Sequence, residues 1–213
     1  MSCAFDLDHY RELLDAARSG GYSFGTFEGE PGAGHVYLRH DVDLALDAAL
    51  QVAEVEAGAG VTATYFLMTR SVFYNLDSHE GARAVERLRE LGHRVAHHPV
   101  HPHIDLDRRF DPVLAWHNPD PEYMREPLVG AVNVMAEPWF SPEHYRSDSN
   151  QHWRSGCPHE ALARGEFEWL QLLTHPEIWV YPGGTMRETM LAMLDAERAR
   201  RLEQLGGDRV DLS

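Results

Sequence analysis

Apolar and polar positions alternate along this chain in two rhythms, and the first hundred residues exchange one for the other almost regularly. Phe5 to Arg18 carries apolar residues at helical spacing. With Asp6 or Asp8 to open it and Gly20-Gly21 to close it, the segment predicts a capped amphipathic helix. Gly25 to Gly34 reads as a loop, and Val36 to Val42 as a strand. Leu44 to Ala57 is made of good helix formers stopped by Gly58 and Gly60, and Thr62 to Met68 returns to strand formers. The cycle repeats with a helix over Ser78 to Leu91, where Glu86 and Arg89 mark the polar face and Gly92 the stop, and a strand over Arg94 to His98.

Beyond residue 110 the helical rhythm weakens, but short apolar runs continue, each followed at once by polar residues. These are Leu114 to Asn118, Val132 to Met135, Tyr145 to Ser149 and Leu170 to His175. Counted with the first three strands they make about seven, and a last helix covers Thr185 to Leu205. The alternation predicts an α/β fold with a parallel sheet curled into a distorted barrel, whose polar face lies at the carboxyl ends of the strands. There are no internal repeats and no linker, so residues 1–213 form a single domain.

That polar face carries the chemistry. Side chains alternate along a strand, so Asp41 and Asp43 project the same way from the end of the first strand, and two like charges that close need a cation or a shared proton. Fifty residues later the chain supplies neutral nitrogen ligands in His97-His98-Pro99-Val100-His101-Pro102-His103. Together they describe a carboxylate-plus-imidazole metal site with one carboxylate left for chemistry. The competing structural readings are that Asp43 caps the following helix and that the histidines form a solvated loop.

Composition narrows the partners. A formal charge of −15 repels phosphate backbones and argues against nucleic acid. No run approaches the about 18 apolar residues of a membrane span, and the amino terminus has neither basic nor apolar signal regions, so a cytoplasmic location is expected. Cys3 and Cys157 are far apart in sequence and outside any CxxC pattern, which argues against a disulfide framework. Of the 14 histidines, six fall between His93 and His117. That clustering is local and supports a ligand set.

Arg39-His40-Asp41-Val42-Asp43, Thr64-Tyr65-Phe66-Leu67, Gly92-His93-Arg94-Val95-Ala96-His97-His98 and Leu172-Leu173-Thr174-His175-Pro176 resemble, in order and spacing, the motifs of the polysaccharide deacetylase-like (NodB-homology) superfamily, which includes carbohydrate esterase family 4. The resemblance covers about residues 36–180. It implies a barrel of about seven strands and metal-dependent removal of an acyl group from an amide on a sugar. By position it implies Asp41 as catalytic base, Asp43 as the metal carboxylate, His175 as general acid, and Arg154 as the arginine that holds the base. Where the family has HxxxH, this chain departs: His98 is followed four residues on by Pro102, whereas His97 and His101 are four apart. Strand parity and the family order favour His98 and His101 as ligands, with His97 and His103 as substitutes. Trp153 is the candidate to stack on a sugar ring, and Asn118 and Asp148 are candidates to hydrogen-bond it, although such residues also terminate strands. The expected cofactor is one divalent ion, Zn²⁺ before Co²⁺, Ni²⁺, Fe²⁺ or Mn²⁺. The expected substrate is an N-acyl sugar or a related small amide. The alternatives are an amidohydrolase acting on a non-sugar C–N bond and a barrel that binds metal or sugar without turnover.

Overall fold

The structure is a computed structural model and describes residues 3–100, 106–126 and 130–207. Its strands are β1 (Ser23–Gly25), β2 (His35–Val42), β3 (Thr64–Leu67), β4 (Arg94–His97), β5 (Val113–Leu114), β6 (Val132–Asn133), β7 (Tyr145–Ser147) and β8 (Trp169–Thr174). They form one parallel sheet in the order β6-β5-β4-β3-β2-β8-β7, with β1 against the start of β2. The α/β class and the curled parallel sheet are as the sequence predicts, and the sheet is a half-barrel flanked by helices. All seven segments read as strands lie in it. The eighth strand, β1, ends where the loop was expected to start. Its Gly25 lies so close to the Tyr37 ring that a Cβ would crowd it.

Strand alternation sorts the core into two layers. Tyr37, Phe66, Ala96, Val113, Ala115, Val134 and Trp169 face inward and pack with Phe27 and Trp139. Val36, Leu38, Tyr65, Leu67, Val95, Leu170 and Leu172 face outward. The outer set is covered by helices α1 (Leu7–Ser19), α2 (Leu46–Gly58), α3 (His79–Glu90) and α5 (Pro176–Val180), while α4 (His159–Ala163) packs on α1 and α6 (Met186–Gly207) on α5. The helix signals hold in detail. Asp6 accepts the His9 N–H at 2.8 Å at the start of α1, and Ser78 accepts the Gly81 N–H at 3.0 Å at the start of α3.

Sheet pairing joins β6 and β7 only through the other strands, and one side chain spans part of the gap. Gln171 on β8 donates to the carbonyls of Val134 at 3.0 Å and Trp139 at 2.7 Å, both in the β6–β7 connection. Among the described residues no helix is long and apolar enough to cross a membrane.

Candidate metal centre

β2 sets the site out by its own pleat. Arg39 and Asp41 share the inward face with Tyr37, and Asp43, one residue past the strand, continues it. Parallel registry then puts the end of β4 within reach, and His98 follows that strand directly. Inward parity on β5 runs through Val113 and Ala115 to His117.

Three ligand atoms converge there. Asp43 Oδ1 lies 3.0 Å from His98 Nε2 and 3.1 Å from His117 Nδ1, and the two ring nitrogens are 3.2 Å apart. His98 Nδ1 is 2.7 Å from the Ala115 carbonyl. A carbonyl can only accept, which assigns the proton to Nδ1 and leaves the Nε2 lone pair facing Asp43 and His117. An imidazole fixed by a backbone carbonyl on one nitrogen and open on the other is the arrangement of a metal-ligating histidine. Asp43, His98 and His117 could therefore hold a metal ion.

Asp41 sits beside this triad, with Oδ2 3.7 Å from His98 Nε2. It is almost fully buried, and Arg39 grips it with two parallel donors, Nε to Oδ1 at 2.7 Å and Nη2 to Oδ2 at 2.6 Å. Arg39 in turn donates to Gln171 Oε1 at 3.3 Å, which ties the pair to the gap-spanning amide. Burial disfavours the Asp41 charge, but Arg39 and then His98 outweigh it and hold the carboxyl below its ordinary range. Asp43 is likewise held far below its usual range, against burial, by the His117 and His98 rings beside it.

His175, one residue beyond β8, completes the inward row. Its Nδ1 lies 2.7 Å from Asp148 Oδ1, its backbone N–H donates to Asp148 Oδ2 at 3.0 Å, and its Nε2 is 3.9 Å from Asp43 Oδ2. Burial opposes charge on this ring, yet the Asp148 carboxylate lifts its pKa to about 10, so the imidazolium persists at neutral pH. Glu177 nearby behaves oppositely. Burial pushes it up to about 8, so it carries a proton at pH 7, and its Oε2 makes no hydrogen bond.

Several expected residues lie elsewhere. Arg154 is exposed, and the arginine that holds Asp41 is Arg39. Trp153 is buried against Phe5 and Trp179 rather than open to a ligand. Asp148 is wholly buried and spends its oxygens on His175 and on Trp179 Nε1 at 2.7 Å. It positions His175 and leaves nothing for a substrate. His97 points to the outer side, its ring against Phe110, because it has the opposite strand parity to His98. His101 and His103 lie outside the described residues. Asn118 is exposed in a left-handed conformation, with its amide 3.3 Å from His117 Nε2. Helix α2 starts at Leu46 after Ala45 with no side-chain cap, so Asp43 is not spent on capping.

The two residues missed by sequence reasoning, Arg39 and His117, each carried a signal. Arg39 stands two positions before Asp41 and so shares its face, and His117 stands two past Ala115 at the end of an apolar run. Comparison of the chain with protein-family models, with curated proteins and with solved structures finds no match.

Proposed function

We propose that this protein is a metal-dependent hydrolase that removes an acyl group from an N-acylated sugar or a related small amide. One observation carries the reading: potential ligand atoms, one each from Asp43, His98 and His117, lie within 3.2 Å of one another, between an arginine-clamped aspartate and an aspartate-held histidinium. Zn²⁺ suits one carboxylate and two imidazoles, which leave coordination open for solvent and substrate. When bound, the ion would polarise the amide carbonyl and acidify water.

The remaining steps belong to side chains. Asp41, kept ionised and oriented by Arg39, accepts the proton of the attacking water. His175, charged and with Nδ1 committed to Asp148, presents its Nε2–H to the departing nitrogen. Cation charge beside Asp43 would bring the His175 pKa down toward neutrality, which eases that transfer. The motif order that resembles the polysaccharide deacetylases supports the same assignment of Asp41, Asp43 and His175.

The test is acetate release from a panel of N-acetyl sugars, abolished by chelation and restored by Zn²⁺ or Co²⁺. Asp41→Asn should lower the rate about 10²–10⁴-fold, the usual weight of a general base, with metal content unchanged. A metal-loaded protein that hydrolyses nothing in a broad amide panel would leave only the reading of a binding barrel without turnover.

A second reading rests on the aromatics. All five tryptophans are buried, so none offers an open face for a sugar ring to stack on. This favours a smaller, non-sugar amide. Release of ammonia rather than acetate separates the two.

A further inference from the structure

The amino-terminal segment and the segment before α4 meet in a second cluster that the proposed hydrolysis does not use. Cys3 Sγ and Cys157 Sγ are 3.0 Å apart although 154 positions separate them in the chain. His9 Nε2 lies 2.9 Å from the first sulfur and 3.3 Å from the second. A disulfide would hold the sulfurs at about 2.05 Å and would give the imidazole no reason to face both. A purely hydrogen-bonded trio would run from the Cys3 thiol to the Cys157 sulfur and from the Cys157 thiol to the imidazole, with the 2.9 Å approach of Cys3 to the same nitrogen left without a proton.

The far side of the histidine ring decides between these. His9 Nδ1 is 2.8 Å from Glu12 Oε2, one turn along α1. A carboxylate accepts, so Nδ1 carries the proton and the bare Nε2 is aimed at the sulfurs. A carboxylate behind a histidine whose other nitrogen points at two cysteine sulfurs is the outer support of a metal-bound imidazole. All three residues are partly buried, and their ligand atoms lie close enough together to share one ion. The open side faces a cavity of about 560 Å³ that His159 and Glu160 also line, so solvent can take the fourth position.

We infer that Cys3, His9 and Cys157 form a soft-cation site that takes Zn²⁺ as two thiolates and one imidazole. Binding converts two thiols to thiolates and releases two protons, so the two sulfur charges balance the dication. The site clamps the start of α1 to the segment leading into α4. Phe5, two residues after Cys3, and Trp153, four before Cys157, pack with each other and with Trp179, the donor to Asp148. The clamp thus sits behind the support of His175 without touching the triad of Asp43, His98 and His117.

Co²⁺ added to the reduced wild-type protein under anaerobic conditions tests this with a readout specific to thiolate. An intense near-ultraviolet charge-transfer band is expected, unchanged in Asp43→Ala and lost in Cys157→Ser. Glu12→Gln, an exposed change that leaves the ligands in place, should weaken Zn²⁺ binding at this site about 10–100-fold. Bound Zn²⁺ should also shield both thiols from alkylation. No charge-transfer band in the wild type, or alkylation equally fast with and without Zn²⁺, overturns the proposal. So does quantitative recovery of a Cys3–Cys157 disulfide that Zn²⁺ cannot prevent under air. None of these outcomes bears on amide hydrolysis, which is assayed separately.

Discussion

Asp148 illustrates how one buried carboxylate sets the behaviour of another group. Its two oxygens accept from the His175 ring, the His175 backbone and the Trp179 indole, so the charge is fully committed. Asp148→Asn keeps the shape and removes the charge that holds His175 up. The His175 pKa, about 10 in the wild type, then falls. A proton-donating His175 is competent only below its pKa, so the alkaline limb of kcat/KM should move to lower pH in Asp148→Asn. His175 titration by NMR should move in the same direction, and an unchanged value by both measures would rule out this role. Stability follows the same sign: a raised histidine pKa stabilises fully below the unfolded value of about 6.5 and is lost as pH rises through the folded one. Asp41 and Asp43 were legible in the sequence because strand ends announce themselves by a change from apolar to polar, while His175 was singled out only by the family resemblance. Arg39 shares the face of Asp41 on one strand and was readable by the same parity, whereas His117 was hidden because the strand that supplies the third ligand depends on which strands become neighbours.

Elements are held together by contacts that composition does not reveal. Gly20 ends α1 against α4, and a Cβ there would run into the Leu162 carbonyl. Gly20→Ala should therefore part the two helices or strain the cap, at a cost of about 1–3 kcal/mol read as a lower urea midpoint at constant m-value. Weaker Co²⁺ charge transfer should accompany it, because His9 lies on α1 with Cys3 just before it, and Cys157 precedes α4. On the opposite side of β2, Glu56 of α2 accepts from Tyr10 at 2.6 Å, Tyr65 at 2.6 Å and His40 Nε2 at 2.8 Å, with no exposure at all. Glu56→Ala leaves two hydroxyls and an imidazole without their acceptor. At about 1–3 kcal/mol for each orphaned group, the loss should exceed about 3 kcal/mol, and a loss below about 1 kcal/mol would show that water replaces the carboxylate. Good helix formers stopped by Gly58 and Gly60 predicted α2 well, but they singled out nothing at Glu56. Only the outward parity of His40 and Tyr65 turns it inward. The short α4 and α5 were missed because five residues are too few to establish a period.

Across the whole molecule, charge and burial give opposite signs for acid stability, and ionic strength separates them. At a formal charge of −15 the folded chain repels itself, and lowering the pH toward the isoelectric value near 5.3 relieves that repulsion. His93 and His97 pull the other way. Burial holds both below the ordinary histidine value, and His93 is fixed neutral, accepting the Ala63 N–H on Nδ1 at 3.2 Å with Nε2 3.0 Å from the Ala53 carbonyl. Below about pH 6.5 the unfolded chain therefore binds protons at these two rings that the folded one refuses, and their contribution to stability falls with pH. His175 and Glu177, held up to about 10 and about 8, instead contribute more as the pH falls. Glu56 adds a second loss at lower pH. Its pKa is depressed, against burial, by His40 and its other partners, so its contribution is present above the unfolded carboxyl value of about 4.3 and disappears below it. Surface repulsion is largely screened once the Debye length drops to about 8 Å at physiological ionic strength, whereas protonation of a buried ring is not. In 0.5 M NaCl these opposed contributions alone set the slope of urea stability from pH 6.5 to 5.5, and at 10 mM salt the relief of repulsion should shift that slope toward greater stability at the lower pH. His97→Leu, which keeps an apolar contact with Phe110 and removes one titrating ring, should make high-salt stability fall less, or rise more, than the wild type's between pH 6.5 and 5.5. Identical high-salt slopes in the wild type and in His97→Leu would mean that this ring protonates freely in the folded state, contrary to its burial.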